Sequence, residues 1–180
     1  MKLEKQCRES RVVRTSRIFP NDVNNHNTLF GGRLMSDIDQ IASISAARHS
    51  RADCVTASMD SVDFLHPIRP SDSVCFESYV TWTGKSSMEI FVKVIAEDLA
   101  SGDCKVAATS LLTFVALDEN KKPLAVPRVI PETEEEKYLH ETAPQRAEIR
   151  KMRKQQSKDL ATVLTNNYPW HEPAPVRVNA

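Results

Sequence analysis

A Gly31–Gly32 pair and two carboxylates, Asp37 and Asp39, share the stretch NNHNTLFGGRLMSDID, residues 24 to 39. Glycines at the mouth of a helix leave backbone N–H groups uncovered, and the helix dipole adds partial positive charge there. Such a place can hold a carbonyl oxygen as it becomes an oxyanion. A carboxylate within two turns can act as general base on water or attack directly. The combination suits hydrolysis of an activated acyl compound. The plainer reading is a tight turn with close helix packing, and a Gly-Gly pair alone does not choose between them.

The spacing predicts a helix over about residues 32 to 48. At 100° per residue, Leu34, Ile38, Ile41 and Ser45 fall together, flanked by Met35, Ala42 and Ala46. Asp37 sits one turn after Arg33, and an exposed i,i+4 pair of this kind contributes ~0.3–0.5 kcal/mol. Asp37 is therefore expected in a surface salt bridge. Asp39 lies on the other edge of the apolar arc, with Ser43 as its i+4 neighbour. The wheel leaves it open between a solvated carboxylate and a catalytic one.

Four strands are predicted after the helix. VCFESYVTWT and SMEIFVKVIAE alternate apolar and polar residues, VAATSLLTFVALD is apolar on both faces, and VTASMDSVDFLHPI is more polar. Short turns join the later strands, so antiparallel neighbours are expected. One long helix and an antiparallel sheet make an α+β arrangement, with the sheet wrapping the helix. The composition shifts near residue 130, which divides the chain into a domain over 10–130 and a charged helical tail over 131–180. That tail runs from acidic PETEEEK through basic PQRAEIRKMRKQQSKD to proline-rich YPWHEPAPVRVNA, where a disordered end is expected.

Of 180 residues, 41 % are hydrophobic and 27 % charged, normal for a globular chain, and the net charge is zero. That balance argues against a general nucleic-acid binder. No stretch approaches the ~20 apolar residues of a membrane helix. The N-terminal segment is charged throughout, so no secretory leader is expected and a cytoplasmic setting is. The four cysteines form no C-x-x-C pair and are expected as free thiols, three of them in apolar runs that suit a core residue. No metal site is expected.

Taken together, FPNDVNNHNTLFGGRLMSDIDQIASISAARHS, VTASMDSVDFLHPIRPSDSV, WTGKSSMEIFVKV and TSLLTFVALDENKKPLAVP resemble the hotdog-fold acyl-CoA thioesterases, in the right order over residues 10 to 130. The resemblance implies a long central helix wrapped by an antiparallel sheet. It implies a homodimer with active sites at its interface, and dimers assembling into a hexamer. It implies hydrolysis of fatty acyl-CoA, a coenzyme A thioester taken as substrate, with no cofactor. The family's catalytic pair matches Asn24 and Asp39. Asn24 would position thioester or water, and Asp39 of the neighbouring copy would be general base or nucleophile. Where many members have Gly, this chain has Asn27, a residue that tolerates the left-handed region, so the turn is expected to survive.

The turn Gly84, Lys85, Ser86 and Ser87 resembles the family's turn beside coenzyme A, with Lys85 meeting a phosphate. Arg69 is a second phosphate candidate. An ordinary hairpin turn explains 84–87 equally well. His26 and His66 lie in turns and match no key position of the family. A non-catalytic acyl-CoA sensor on the same fold is the alternative function. A hydratase is less well supported, because the predicted helix has no histidine beside its acid.

Overall fold

Twenty residues, Gly31–Ser50, form α1. Leu34, Ile38, Ile41, Ala42, Ser45 and Ala46 are buried along one face, as the 3.6-residue period requires. The helix ends where Arg51 turns left-handed at φ 57° and its N–H bonds to the Ala47 carbonyl. Lys5 Nζ donates to the Arg48 and His49 carbonyls at 3.0 and 2.7 Å, setting an ammonium at the negative end of the helix dipole. This computed structural model describes residues 3–165.

The helix lies on a five-stranded antiparallel sheet built from β2 (Val12–Arg17), β3 (Asp53–Phe64), β4 (Asp72–Thr83), β5 (Ser87–Asp98) and β6 (Cys104–Leu117), in the order β2-β4-β5-β6-β3. It contacts every strand. Met88, Ile90, Val92 and Val94 of β5 are fully buried, as their alternation predicts. A buried polar contact crosses this packing, a 2.8 Å hydrogen bond between the Ser45 and Ser78 hydroxyls. The expected hairpins β4-β5 and β5-β6 form. β3 pairs with β6 and lies at the sheet edge, with register shifts around Ala57 and Asp60.

Three strands were not expected from the pattern. β2 has little alternation to read, because Val12 is its one buried residue. β1 (Glu4–Gln6) and β7 (Arg128–Ile130) form a separate two-stranded parallel sheet that ties the chain's start to the segment after β6. The cysteines also differ from expectation. Cys7, in a charged run, is the fully buried one, and burial first, with Glu136 second, pushes its thiol up to about 12. Cys54 on the edge strand β3 is half-buried, Cys104 at the start of β6 is exposed, and Cys75 is half-buried because it alternates with buried Val74 and Phe76 onto the other face of β4.

α2 spans Glu134–Val163. The chain divides into a compact unit through Pro144 and a second unit from Gln145. The first unit includes the opening of α2, whose first turns are tied to the sheet. Glu136 is buried and caps its own helix. Its carboxylate accepts the Glu132 and Thr133 N–H groups at 2.7 and 3.0 Å, while its N–H donates to Thr133 Oγ1. It also accepts Arg11 Nη2 at 2.6 Å. Glu135 accepts the Tyr79 hydroxyl and Lys93 Nζ at 2.7 and 2.9 Å. Burial pushes the Glu135 carboxyl up, and these donors outweigh it and hold it below the ordinary range. Glu136→Ala removes a helix cap and a buried ion-pair partner together, so we expect a loss of about 3 kcal/mol in urea unfolding. Glu134→Ala, at an exposed pair with Lys137, should leave the midpoint unchanged.

No described helix is long and apolar enough to cross a membrane. The proline-rich stretch expected to be disordered lies outside the described residues.

Candidate functional site

The loop ahead of α1 is shaped by its own polar residues. A short 3-10 turn at Pro20–Asp22 leads into a tight turn in which the Asn24 N–H bonds to the Thr28 carbonyl at 2.8 Å and the Asn27 N–H to the Asn24 carbonyl at 3.0 Å. Asn27 sits at φ 57°, so asparagine does hold the left-handed position here. The Asn24 side chain is fixed at both ends. Its Oδ1 accepts the His26 N–H at 2.8 Å, and its Nδ2 donates to Thr28 Oγ1 at 3.0 Å.

Asn24 and Gly31 line a cavity of about 390 Å³, with Leu34, Phe64, His66 and Ile68 among its other walls. The mouth of α1 opens here. No side chain caps it, so first-turn N–H groups stay open to a ligand. Gly32 also makes room for a ring, since a Cβ there would sit only 2.6 Å from Phe30, whereas one on Gly31 would make ordinary contact with Phe64 at 3.5 Å. The cavity thus joins an amide side chain and a helix N-terminus to mostly apolar walls, which suits a carbonyl carried on an alkyl chain.

The two aspartates part ways. Asp37 is 6 % exposed and receives both Arg33 Nε at 3.1 Å and Arg14 Nη2 at 2.7 Å. The expected surface pair is therefore a three-residue cluster in which Asp37 is buried beneath two partly exposed arginines, because β2 brings Arg14 to the helix. Asp39 is half-buried on the other edge of α1, where Oδ1 accepts the Thr56 hydroxyl of β3 at 2.8 Å. It does not line the cavity that holds Asn24. One copy of the chain therefore does not bring Asn24 and Asp39 into one site. Thr56 was not anticipated. Its contact bridges helix and strand, and no local spacing announces it.

His26 contributes its backbone N–H to the Asn24 turn, whereas His66 reaches the cavity and bonds Ala107 through its own N–H. The turn at 84–87 is tightly knit. The Gly84 N–H bonds the Ser87 carbonyl, and the Lys85 and Ser86 carbonyls accept the Val126 and Ala116 N–H groups. Lys85 is exposed. Gly84–Ser87 follows the end of β4, whereas Arg69 precedes its start, where it closes a turn with Asp72. Across the 12 residues of β4 this is about 40 Å at ~3.3 Å per residue, so one copy does not gather the two phosphate candidates. Among the described residues no cluster of three or more His, Cys, Asp or Glu is placed to hold a metal.

Comparison with known proteins agrees with this architecture. The thioesterase superfamily model matches residues 26–102. The uncharacterized acyl-CoA thioester hydrolase YkhA of Bacillus subtilis is 68 % identical over 164 residues, 91 % of this chain and 95 % of that protein. An acyl-CoA hydrolase of Staphylococcus aureus, solved with butyryl coenzyme A, coenzyme A and coenzyme A disulfide, superposes with a TM-score of 0.85 at 46 % identity, covering 88 % of this chain and 97 % of that one. Further structures of the Staphylococcus aureus protein carry alanine in place of one Asp, one Thr or one Asn. A hexameric acyl-CoA thioesterase superposes with a TM-score of 0.82 at 43 % identity, covering 85 % of this chain and 97 % of that one. By fold, site geometry and sequence, the chain belongs to the acyl-CoA thioester hydrolases of the thioesterase superfamily.

Proposed function

We propose that this chain hydrolyses fatty acyl-CoA thioesters to a fatty acid and coenzyme A, at sites shared between two copies. The carrying observation is the cavity where Asn24 and the uncapped N-terminus of α1 converge. The thioester carbonyl lies there, its oxygen held by helix N–H groups as charge develops. Asn24 orients the carbonyl. Asp39 of the second copy takes a proton from water, the water oxygen bonds the carbonyl carbon, and the tetrahedral intermediate breaks at the C–S bond. The proton then passes from Asp39 to the departing thiolate, so acid and thiol leave with no other reactant. Thr56 Oγ1 holds one oxygen of Asp39 and leaves the other for water.

The residues replaced in the Staphylococcus aureus structures support these roles. That Asn, Asp and Thr stand at the same sequence separations as Asn24, Asp39 and Thr56 here. The edge position of β3 supports the pairing. Two such edges joined by a two-fold axis make one continuous sheet, and would cover the exposed Val55, Phe64 and Leu65. Likeness to a hexameric acyl-CoA thioesterase supports assembly of such dimers into hexamers. Lys85 and the turn around it are the proposed contact for the coenzyme A phosphates. The four unpaired thiols suit a reducing compartment, and the cytoplasm is the proposed setting.

Purified protein should release free thiol from acyl-CoA, read with a thiol-reactive dye across chains from acetyl to palmitoyl. Binding of acyl-CoA by calorimetry without thiol release at any length would replace the enzyme with a sensor.

A further inference from the structure

The second unit of the chain carries a surface that the thioesterase reading does not use. Within α2, Ile149, Met152, Leu160 and Val163 are between 55 and 77 % exposed. At 100° per residue they fall with Gln156 on one third of the helix circumference. The pattern repeats every eleven residues, Ile149 to Leu160 and Met152 to Val163. That period, 11 residues over three turns, keeps an apolar stripe facing a neighbouring helix with a slight right-handed supercoil. The polar residues beside the stripe are sorted by sign. Glu148 and Asp159 border one side, also eleven apart, and Arg146 and Arg153 border the other.

This sorting selects the occupant. When two copies of a helix pack in parallel, the left flank of each meets the right flank of the other, so Glu148 and Asp159 approach the partner's arginines. In an antiparallel pair like flanks meet, acid against acid. A membrane surface is a poorer match. Glu148 and Asp159 would sit at the level of anionic headgroups, Gln156 interrupts the stripe, and residues 145–163 contain no aromatic anchor.

We propose that residues 145–163 of α2 associate in parallel with the same segment of a second copy of this chain, through the Ile149–Met152–Leu160–Val163 stripe. The contact is independent of the β3 edge and of the catalytic assignment.

Site-directed crosslinking of the full chain tests it. Cys104, the exposed native thiol, is first replaced by serine. Ile149→Cys in that background should give a disulfide-linked dimer on mild oxidation, and Lys151→Cys, on the far side of the helix, should not. Adding Arg153→Glu should slow the Ile149→Cys crosslink about tenfold by placing acid against acid, and adding Glu148→Arg as well should restore it. Equal crosslinking at positions 149 and 151, or none at 149, overturns the proposal. So does flotation of the uncrosslinked chain with phosphatidylcholine–phosphatidylglycerol vesicles that Ile149→Lys abolishes. Each readout is blind to thiol release, so a failed contact and a failed enzyme assignment remain distinct.

Discussion

Asp39→Ala is expected to lower kcat for acyl-CoA hydrolysis by at least about 100-fold, the scale of losing a positioned general base, while KM stays within a few fold. The geometry makes this loss chemical. Asp39 is half-buried at the edge of α1, and alanine is the better helix former, so the helix persists. What disappears is a carboxylate held by the Thr56 hydroxyl at 2.8 Å. Asp37→Ala is the contrasting control. It removes the shared partner of Arg14 and Arg33, both more than a third exposed, so it should lower the unfolding midpoint modestly and leave the chemistry in place. Thiol-release kinetics and thermal unfolding on both variants separate the roles. Wild-type kcat in Asp39→Ala would sink the assignment.

Mixing the variants Asn24→Ala and Asp39→Ala should restore activity. In a homodimer of Asn24→Ala every proposed site would lack its amide, and in one of Asp39→Ala every proposed site would lack its base. A mixed dimer has one site with both defects and one with neither. After random exchange of equal amounts, two-fold symmetry leaves about a quarter of all sites intact, and that fraction of wild-type kcat should return. The prediction rests on Asn24 lining a cavity that Asp39 does not reach within its own copy. A mixture as inactive as its parents, after mass spectrometry has shown that subunits exchanged, would place both residues in one copy.

Elements with their own period were legible in the sequence. The α1 face through Leu34, Ile38 and Ile41 and the Met88–Val94 alternation of β5 each sit within one segment, and both formed as expected. β2 was not legible, because an edge strand with Val12 alone buried has no alternation. That single omission also misjudged Asp37, whose second arginine comes from β2. The site was legible only through family resemblance. From the helix wheel Asp39 was undecided, and Thr56 lies 17 residues away in a different element. Arg69 and Lys85 were separate phosphate candidates in the sequence, and β4 stands between them.

The parallel pairing of Glu4–Gln6 with Arg128–Ile130 has a consequence for how the protein is made. The first strand finds its neighbour only after more than a hundred further residues have left the ribosome, roughly ten seconds at ordinary synthesis rates. Until then Lys5 lacks the strand that steadies it over the end of α1. The pairing of β1 thus forms late, followed only by the ties of α2, and the helix mouth can be in place well before its far end is anchored.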